Sequence, residues 1–333
     1  MTSPSSSSDR VPVLDIRLFD QPSPESRPRF VDELGAALRE HGFVGLAHHG
    51  VPDELVAAAY RAAGSFFELP LAQRRRARAP REVGGNRGYT DFGIEHAKDN
   101  AAPDLKEFFQ IGRERAPGTV QMRALPANVW PEEPADFRAS TYALFQALEA
   151  LSRRVLRAVA LHLGLPEEFF ADKVDHGDDV LRPIHYPPIR GAVGGSVRSA
   201  AHEDINLITL LVGSGEPGLE ILSKRGDWVP VDTIPGVILC NVGDILQRLT
   251  NHALRSTTHR VVNPPAPWGA RSRYSIPYFV HPNPELVIES LPQCVSATRP
   301  DRYAGQAITA GEFLRQRLVA IGLVDDDPRK GAA

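Results

Sequence analysis

His202 and Asp204 flank a single glutamate in His202-Glu203-Asp204, directly ahead of the apolar run 205–212. Side chains two apart on an extended chain point to the same side, so this imidazole and carboxylate can meet one metal ion while Glu203 faces away. A third ligand is available in the segment 256–262 (STTHRVV), where His259 lies 55 residues beyond Asp204. Two imidazoles and one carboxylate form the facial triad of non-haem iron(II) sites, which leaves the other coordination positions open for substrate and dioxygen. The spacing alone is a weak signal in a chain with 11 histidines. It recurs at His176-Gly177-Asp178 within the polar run DHGDD, which reads as a solvated loop. A hydrogen-bonded histidine–carboxylate pair at a strand start would explain His202 and Asp204 equally well. Arg273 and Ser275, 14 and 16 residues past His259, separate the two readings. They share a strand face and offer a guanidinium fork and a hydroxyl to a carboxylate in a dry interior. A keto-acid could then chelate the metal through its keto and adjacent carboxylate oxygens and rest its far carboxylate on Arg273 and Ser275.

Strands must carry these residues. Between positions 180 and 281 the runs VLRPIHY, INLITLLV, LEIL, GVILC, STTHRVV and RYSIPYFV alternate with Gly, Pro and Asn turns and show no intervening helical period. That many short strands in about a hundred residues predict a sandwich or jelly roll rather than a parallel βαβ sheet. Around this half the period is helical. Phe137, Leu144, Leu148, Leu151, Val155 and Val159 predict a long helix over 135–163, stopped by Gly164 and Pro166. Phe30, Leu34 and Leu38 mark another helix, and 53–69 and 308–323 two more, while 42–48 (GFVGLAH) reads as a strand. The N-terminal region is therefore mixed α/β.

The 333 residues carry 38 Lys+Arg against 41 Asp+Glu, a formal charge of −3, which gives no global attraction to nucleic acid or an anionic membrane. The basic run 73–81 (QRRRARAPR) ends a predicted helix without an aromatic platform and reads as a solvated face. With 42% hydrophobic and 24% charged residues the chain can bury a sizeable core. Its two cysteines, Cys240 and Cys294, read as free thiols of a reducing compartment, and no secretory or membrane-spanning segment is signalled, so a cytoplasmic location and a small-molecule partner are expected. The composition specifies no oligomeric state. Residues 1–10 and 325–333 are polar tails expected to be mobile.

The set HED, THRV and RYS, with the approach RPIHYPP at 182–188, resembles the iron(II)- and 2-oxoglutarate-dependent dioxygenases, in the branch that includes isopenicillin N synthase. HEDINLITLLVG at 202–213, HGFVGLAHHGVP at 41–52, the stretch 86–112 with its PDLKE segment, and DILQRLTN at 244–251 extend the likeness over about residues 11–322 in family order. The resemblance implies a mainly β fold with flanking helices: a double-stranded β-helix (jelly-roll) core with a mixed α/β N-terminal region. It implies Fe(2+) on His202, Asp204 and His259, the far carboxylate of 2-oxoglutarate on Arg273 and Ser275, O2 as oxidant, and Tyr186 near the cosubstrate or substrate. Arg87 and Tyr89 match the region where family members close the substrate pocket. Two departures are visible: the family's Asn-Gly before the third ligand is Asn251-His252 here, and its Asn-His-Gly is His48-His49-Gly50 preceded by Ala47. His252 reads as a solvated turn residue and His185 as a packing residue on the far side of the Tyr186 strand.

The expected organisation is a tail at 1–10, an N-terminal region 11–120 packing on the core, a long connecting helix within 121–175, a jelly-roll catalytic core 176–285, a C-terminal segment and helix 286–324, and a tail 325–333. The expected activity is oxidation of a small organic molecule by hydroxylation, desaturation or ring closure, with release of succinate and carbon dioxide. Two other readings remain open: an isopenicillin N synthase-like iron oxidase that does not use 2-oxoglutarate, and a non-catalytic small-molecule binding protein on the same fold.

Overall fold

A computed structural model describes residues 10–21, 23–80, 86–97, 102–114, 126–191, 194–213, 215–232 and 234–324. All but the last residue of the first expected tail, and the whole of the second, lie outside these residues. The N-terminal part contributes β1 (Val13–Asp15), α1 (Arg17–Asp20), α2 (Ser26–Glu40), β2 (Phe43–Ala47), α3 (Asp53–Glu68), α4 (Leu71–Arg74), β3 (Gly88–Thr90) and β4 (Glu107–Gly112), followed by the long α5 (Phe137–His162). Then come β5 (Val180–Leu181), β6 (Ile184–Tyr186), β7 (Ser199–His202), β8 (Ile208–Val212), β9 (Leu219–Leu222), β10 (Trp228–Pro230), β11 (Val237–Val242), α6 (Asp244–Leu249), β12 (His259–Val261) and β13 (Arg273–Val280). The C-terminal part adds β14 (Val287–Ile288), β15 (Ile308–Thr309) and α7 (Ala310–Ala320).

The strands form a jelly roll of two facing sheets. The nine-stranded sheet runs β1-β2-β11-β8-β13-β5-β4-β3, with β6 beside β13 and β4, and the four-stranded sheet runs β10-β9-β12-β7. The N-terminal region thus completes the large sheet at both edges, with β1 and β2 at one and β4 and β3 at the other. Strand periodicity explains how one sheet serves two purposes. Ile276, Tyr278 and Val280 of β13, with Ile208, Leu210 and Val212 of β8, pack outward into the core shared with α2, α3 and α5. Arg273, Ser275, Pro277 and Phe279, with Thr209 and Leu211, point inward to line a cavity between the sheets. Both faces are covered, so these strands read as nearly continuous apolar runs.

Several details depart from the sequence reading. The β half contains a helix, α6, whose six residues are too few to show a period. β7 and β10 were not distinguished as strands: the small residues of Ser199–His202 and the half-exposed Trp228–Pro230 carry no alternating apolar pattern. VLRPIHY is two strands, interrupted at Arg182 and Pro183, and the stretch 308–323 begins as β15 before α7. The basic run is partly internal: Arg74 pairs with Glu107 and lies over the Tyr89 ring, and Arg75 meets Asp91 at 3.2 Å, whereas Arg81 falls outside the described residues. Among the described residues no helix is long and apolar enough to cross a membrane.

Candidate metal centre and cosubstrate pocket

β7 and β12 lie side by side in a register that sets His202 directly opposite His259. Their ring centroids are 4.4 Å apart. Asp204, on the loop after β7, places Oδ1 3.9 Å from His202 Nε2 and 3.7 Å from His259 Nε2. The ligand atoms of the three residues all lie within 4.8 Å of one another. Their other polar atoms are engaged elsewhere. His202 Nδ1 faces the Ala200 carbonyl at 2.8 Å and His259 Nδ1 the Thr257 carbonyl at 3.1 Å. Each carbonyl can only accept, so it fixes the proton on Nδ1 and leaves the Nε2 lone pair for a metal. Asp204 Oδ2 accepts from Thr209 Oγ1 at 2.6 Å and Asn241 Nδ2 at 2.8 Å, which leaves Oδ1 for the same point.

The loop that carries Asp204 is pinned by the start of α6: the Asp244 N–H donates to the Asp204 carbonyl (2.7 Å) and the Gly243 N–H to the Leu207 carbonyl (2.8 Å). Residue 243 has no room for a side chain, since a Cβ there would sit 2.2 Å from the Asn206 carbonyl oxygen. Burial, reinforced by neighbouring His259, pushes the His202 imidazole down to about 4, so it is neutral and fit to ligate. Burial acts upward on Asp204, but His259, His202 and the bonds from Thr209 and Asn241 outweigh it and hold the carboxyl below its usual range. Two neutral imidazoles and one carboxylate suit a non-haem iron(II) ion with open positions.

Arg273 and Ser275 sit two apart on β13, both buried. Arg273 is opposite Tyr186 in the β6–β13 register, with its guanidinium 5.0 Å from the Tyr186 ring centre. Among the described residues nothing accepts a hydrogen bond from Arg273 Nε or Nη1. A buried guanidinium with unmet N–H groups is costly, and an incoming carboxylate would relieve it. The cavity, about 550 Å³, has His202, Asp204, His259, Arg273, Ser275 and Tyr186 on its wall. Its remaining lining includes Asn86, Glu95, Lys106, Arg182, His281 and, from the C-terminal segment, Tyr303 and Phe313. Arg182 lies over the Phe108 and Phe279 rings at 4.6 and 5.0 Å and donates to Glu95 (3.2 Å) and Gln110 (2.7 Å). His281 is buried with no partner for Nδ1 among the described residues, and burial pushes its imidazole down to about 4.

Other sequence candidates are placed elsewhere. Arg87 donates to Asp178 Oδ1 at 2.6 Å, and the Tyr89 hydroxyl donates to Glu107; neither is among the described residues lining the cavity. His176, set aside in the sequence, contacts Asp175 and Glu285. His185 is the packing residue expected, bonded to Glu107 and Ser272 and stacked on Tyr274. His252 is more than a solvated turn residue, since its Nε2 meets the Tyr303 hydroxyl at 2.7 Å. Glu203 accepts from Thr258 and borders the cavity rather than joining the cluster of His202, Asp204 and His259. Asp104, Lys106 and Arg182 were overlooked although they stand in the PDLKE and RPIHYPP stretches, because spacing did not tell which of those side chains face inward.

Residues 11–133 match the model described as "non-haem dioxygenase in morphine synthesis N-terminal", and residues 177–282 that of the 2OG-Fe(II) oxygenase superfamily. The proline hydroxylase buaE of Petromyces alliaceus is 32% identical over 320 residues, 92% of this chain and 98% of that one. Validamycin A dioxygenase of Streptomyces hygroscopicus subsp. limoneus is 31% identical over 90% of this chain and 84% of its own. A 2OG-Fe(II) oxygenase family protein from Caulobacter crescentus superposes with a TM-score of 0.83 at 40% identity, covering 92% of this chain and 98% of that one. A full-length protein from Neurospora crassa, solved in complex with alpha-KG and thymine, superposes with a TM-score of 0.83 at 29% identity over 95% of this chain and 98% of its own. The chain belongs to the 2-oxoglutarate- and iron(II)-dependent oxygenase superfamily. It is an enzyme that uses Fe(2+), 2-oxoglutarate and O2; the oxidase without 2-oxoglutarate and the non-catalytic binding protein are not favoured.

Proposed function

We propose that His202, Asp204 and His259 hold the iron, that Arg273 and Ser275 hold the far carboxylate of 2-oxoglutarate, and that a small polar substrate occupies the part of the cavity near Arg182, Phe279 and His281. The observation that carries this reading is the convergence of one free donor atom from each of three residues within 4.8 Å, while their other polar atoms are bonded elsewhere. When bound, iron with 2-oxoglutarate and O2 supplies the oxidant that removes a substrate hydrogen, with succinate and carbon dioxide released. The chain's own contribution is positional. Two backbone carbonyls hold the tautomers of His202 and His259, Thr209 and Asn241 orient Asp204, Arg273 anchors the cosubstrate, and Leu211, Pro277 and Phe279 keep the interior apolar.

Residues 176–285 would form the catalytic core in this scheme, with 11–120 packed on it and 286–324 closing the cavity. The buried thiols of Cys240 and Cys294 support a cytoplasmic site of action, and the balanced charge supports a partner that is neither nucleic acid nor membrane. The test is an anaerobic titration of metal-free protein with iron(II) and then 2-oxoglutarate, read by the weak visible charge-transfer band of a chelated keto-acid. Wild type should give the band and His202→Ala should not. An equal band in both would refute the ligand assignment.

A further inference from the structure

Four charges, Asp104 and Lys106 buried and Glu95 and Arg182 partly so, form a chain along the cavity wall outside the metal cluster. Arg182 reaches Glu95 at 3.2 Å, Glu95 lies 3.2 Å from Lys106 Nζ, and Lys106 Nζ lies 2.7 Å from Asp104 Oδ2 and 3.2 Å from Ser199 Oγ. The two cations balance the two carboxylates, so the chain needs no outside ion. Burial opposes the Lys106 charge, but Glu95 and Asp104 outweigh it and hold the ammonium protonated. With its contacts satisfied by the protein, Lys106 is poorly placed to capture substrate. Its position suits a different task.

Asp104 carries the chain to the metal strand. Its Oδ1 accepts the Ala200 N–H at 2.9 Å, and one residue further the Leu105 N–H donates to the Val197 carbonyl at 2.9 Å. The carbonyl of that same Ala200 accepts from His202 Nδ1 at 2.8 Å. One residue of β7 is therefore gripped at its N–H by Asp104 and grips the imidazole with its C=O. β7 is an edge of the four-stranded sheet, paired only to β12 within it. Without Asp104 the Ala200 amide would lose its acceptor on the other side, and the strand could rotate the carbonyl that aims His202.

We propose that Asp104 and Lys106 are positioning residues for His202: Lys106 locks the Asp104 carboxylate, and Asp104 fixes the backbone of Ala200 that orients the imidazole. This rests on His202 being a metal ligand. Because Glu95 and Arg182 share the cavity wall with Lys106, the chain also links the substrate side of the cavity to the metal side.

The test compares Asp104→Ala with Asp104→Asn, using cobalt(II) and iron(II) as probes. Both substitutions remove the same charge facing Lys106, but asparagine keeps a side-chain oxygen for the Ala200 N–H and alanine does not. Outer partners of metal-bound histidines are typically worth about 10- to 100-fold in metal affinity. Asp104→Ala should weaken cobalt(II) and iron(II) binding by that order and alter the cobalt(II) absorption spectrum, while Asp104→Asn, which keeps an acceptor for the Ala200 N–H but turns its NH2 toward Lys106, should lose less affinity and shift the spectrum less than Asp104→Ala. Lys106→Gln serves if Asp104→Ala does not fold: it should weaken binding several-fold with a shifted cobalt(II) spectrum. Wild-type affinity and spectrum in Lys106→Gln, or equal losses with unaltered spectra in both Asp104 variants, would overturn the proposal. His202→Ala is run alongside. If it binds cobalt(II) as wild type does, the metal assignment fails and takes the proposal with it; if it does not, a negative result falls on the Asp104–Lys106 grip alone.

Discussion

Arg273 is the side chain whose burial makes least sense without a ligand. Its Nε and Nη1 have no acceptor among the described residues, and a charge-assisted hydrogen bond is worth about 1.5–3 kcal/mol. Arg273→Gln should therefore weaken 2-oxoglutarate by about 10- to 150-fold, measured by titrating the charge-transfer band, while iron(II) affinity without 2-oxoglutarate stays the same. His281 makes a pH prediction. Its folded-state imidazole is depressed to about 4 from the ordinary 6.5, so the folded protein binds fewer protons than the unfolded chain between those values. That contribution to stability is complete above pH 6.5 and is lost as pH falls toward 4; thermal melts of metal-free His281→Asn should show a shallower acid decline than wild type. At this scale the sequence was most readable where chemistry restricts the choice: few residue types ligate iron, and His202, Asp204, His259, Arg273 and Ser275 converge on one cavity. For Arg87 and Tyr89, as for Lys106 and Asp104, polarity near a family motif does not say which way a side chain points.

Elements set the distances that residues cannot set for themselves. α6 is short, yet its first turn pins the Asp204 loop through the amides of Gly243, Asp244 and Ile245. Gly243→Ala forces a Cβ against the Asn206 backbone at 2.2 Å. It should cost about 2 kcal/mol in denaturant unfolding and also weaken cobalt(II) binding, because the displaced loop carries Asp204, the proposed ligand. A loss of stability with unchanged metal affinity would show that the loop is held by other means. Long periodic elements were legible from sequence, as α5 at Phe137–His162 against an expected 135–163 illustrates. β7 and α6 were not, since a four-residue strand and a six-residue helix have too little period to read, and both are held by partners distant in sequence: β12 and Asp104 for β7 and the Asp204 loop for α6.

For the molecule as a whole, a metal that binds only the folded state stabilises it by mass action. Iron(II) at about 100 times its dissociation constant should add about 2.7 kcal/mol, roughly 4 °C in Tm for a chain of this length, and a chelator should remove it. His202→Ala should show neither shift in a differential scanning experiment. The jelly roll itself could be foreseen from the run of short strands, whereas the joining of β1 and β2 to one edge of the large sheet and β3 and β4 to the other depends on contacts far apart in sequence. The alternation along β13 has a genetic corollary. Positions 273, 275, 277 and 279 face the cavity, and 276, 278 and 280 face the helices. Saturation mutagenesis of this strand should give a two-beat record, with catalytic defects at odd positions and folding defects at the even positions from 276 on. A single-codon insertion would exchange the two sets and abolish both properties at once, so length variation in this strand should be purged even where individual substitutions are tolerated.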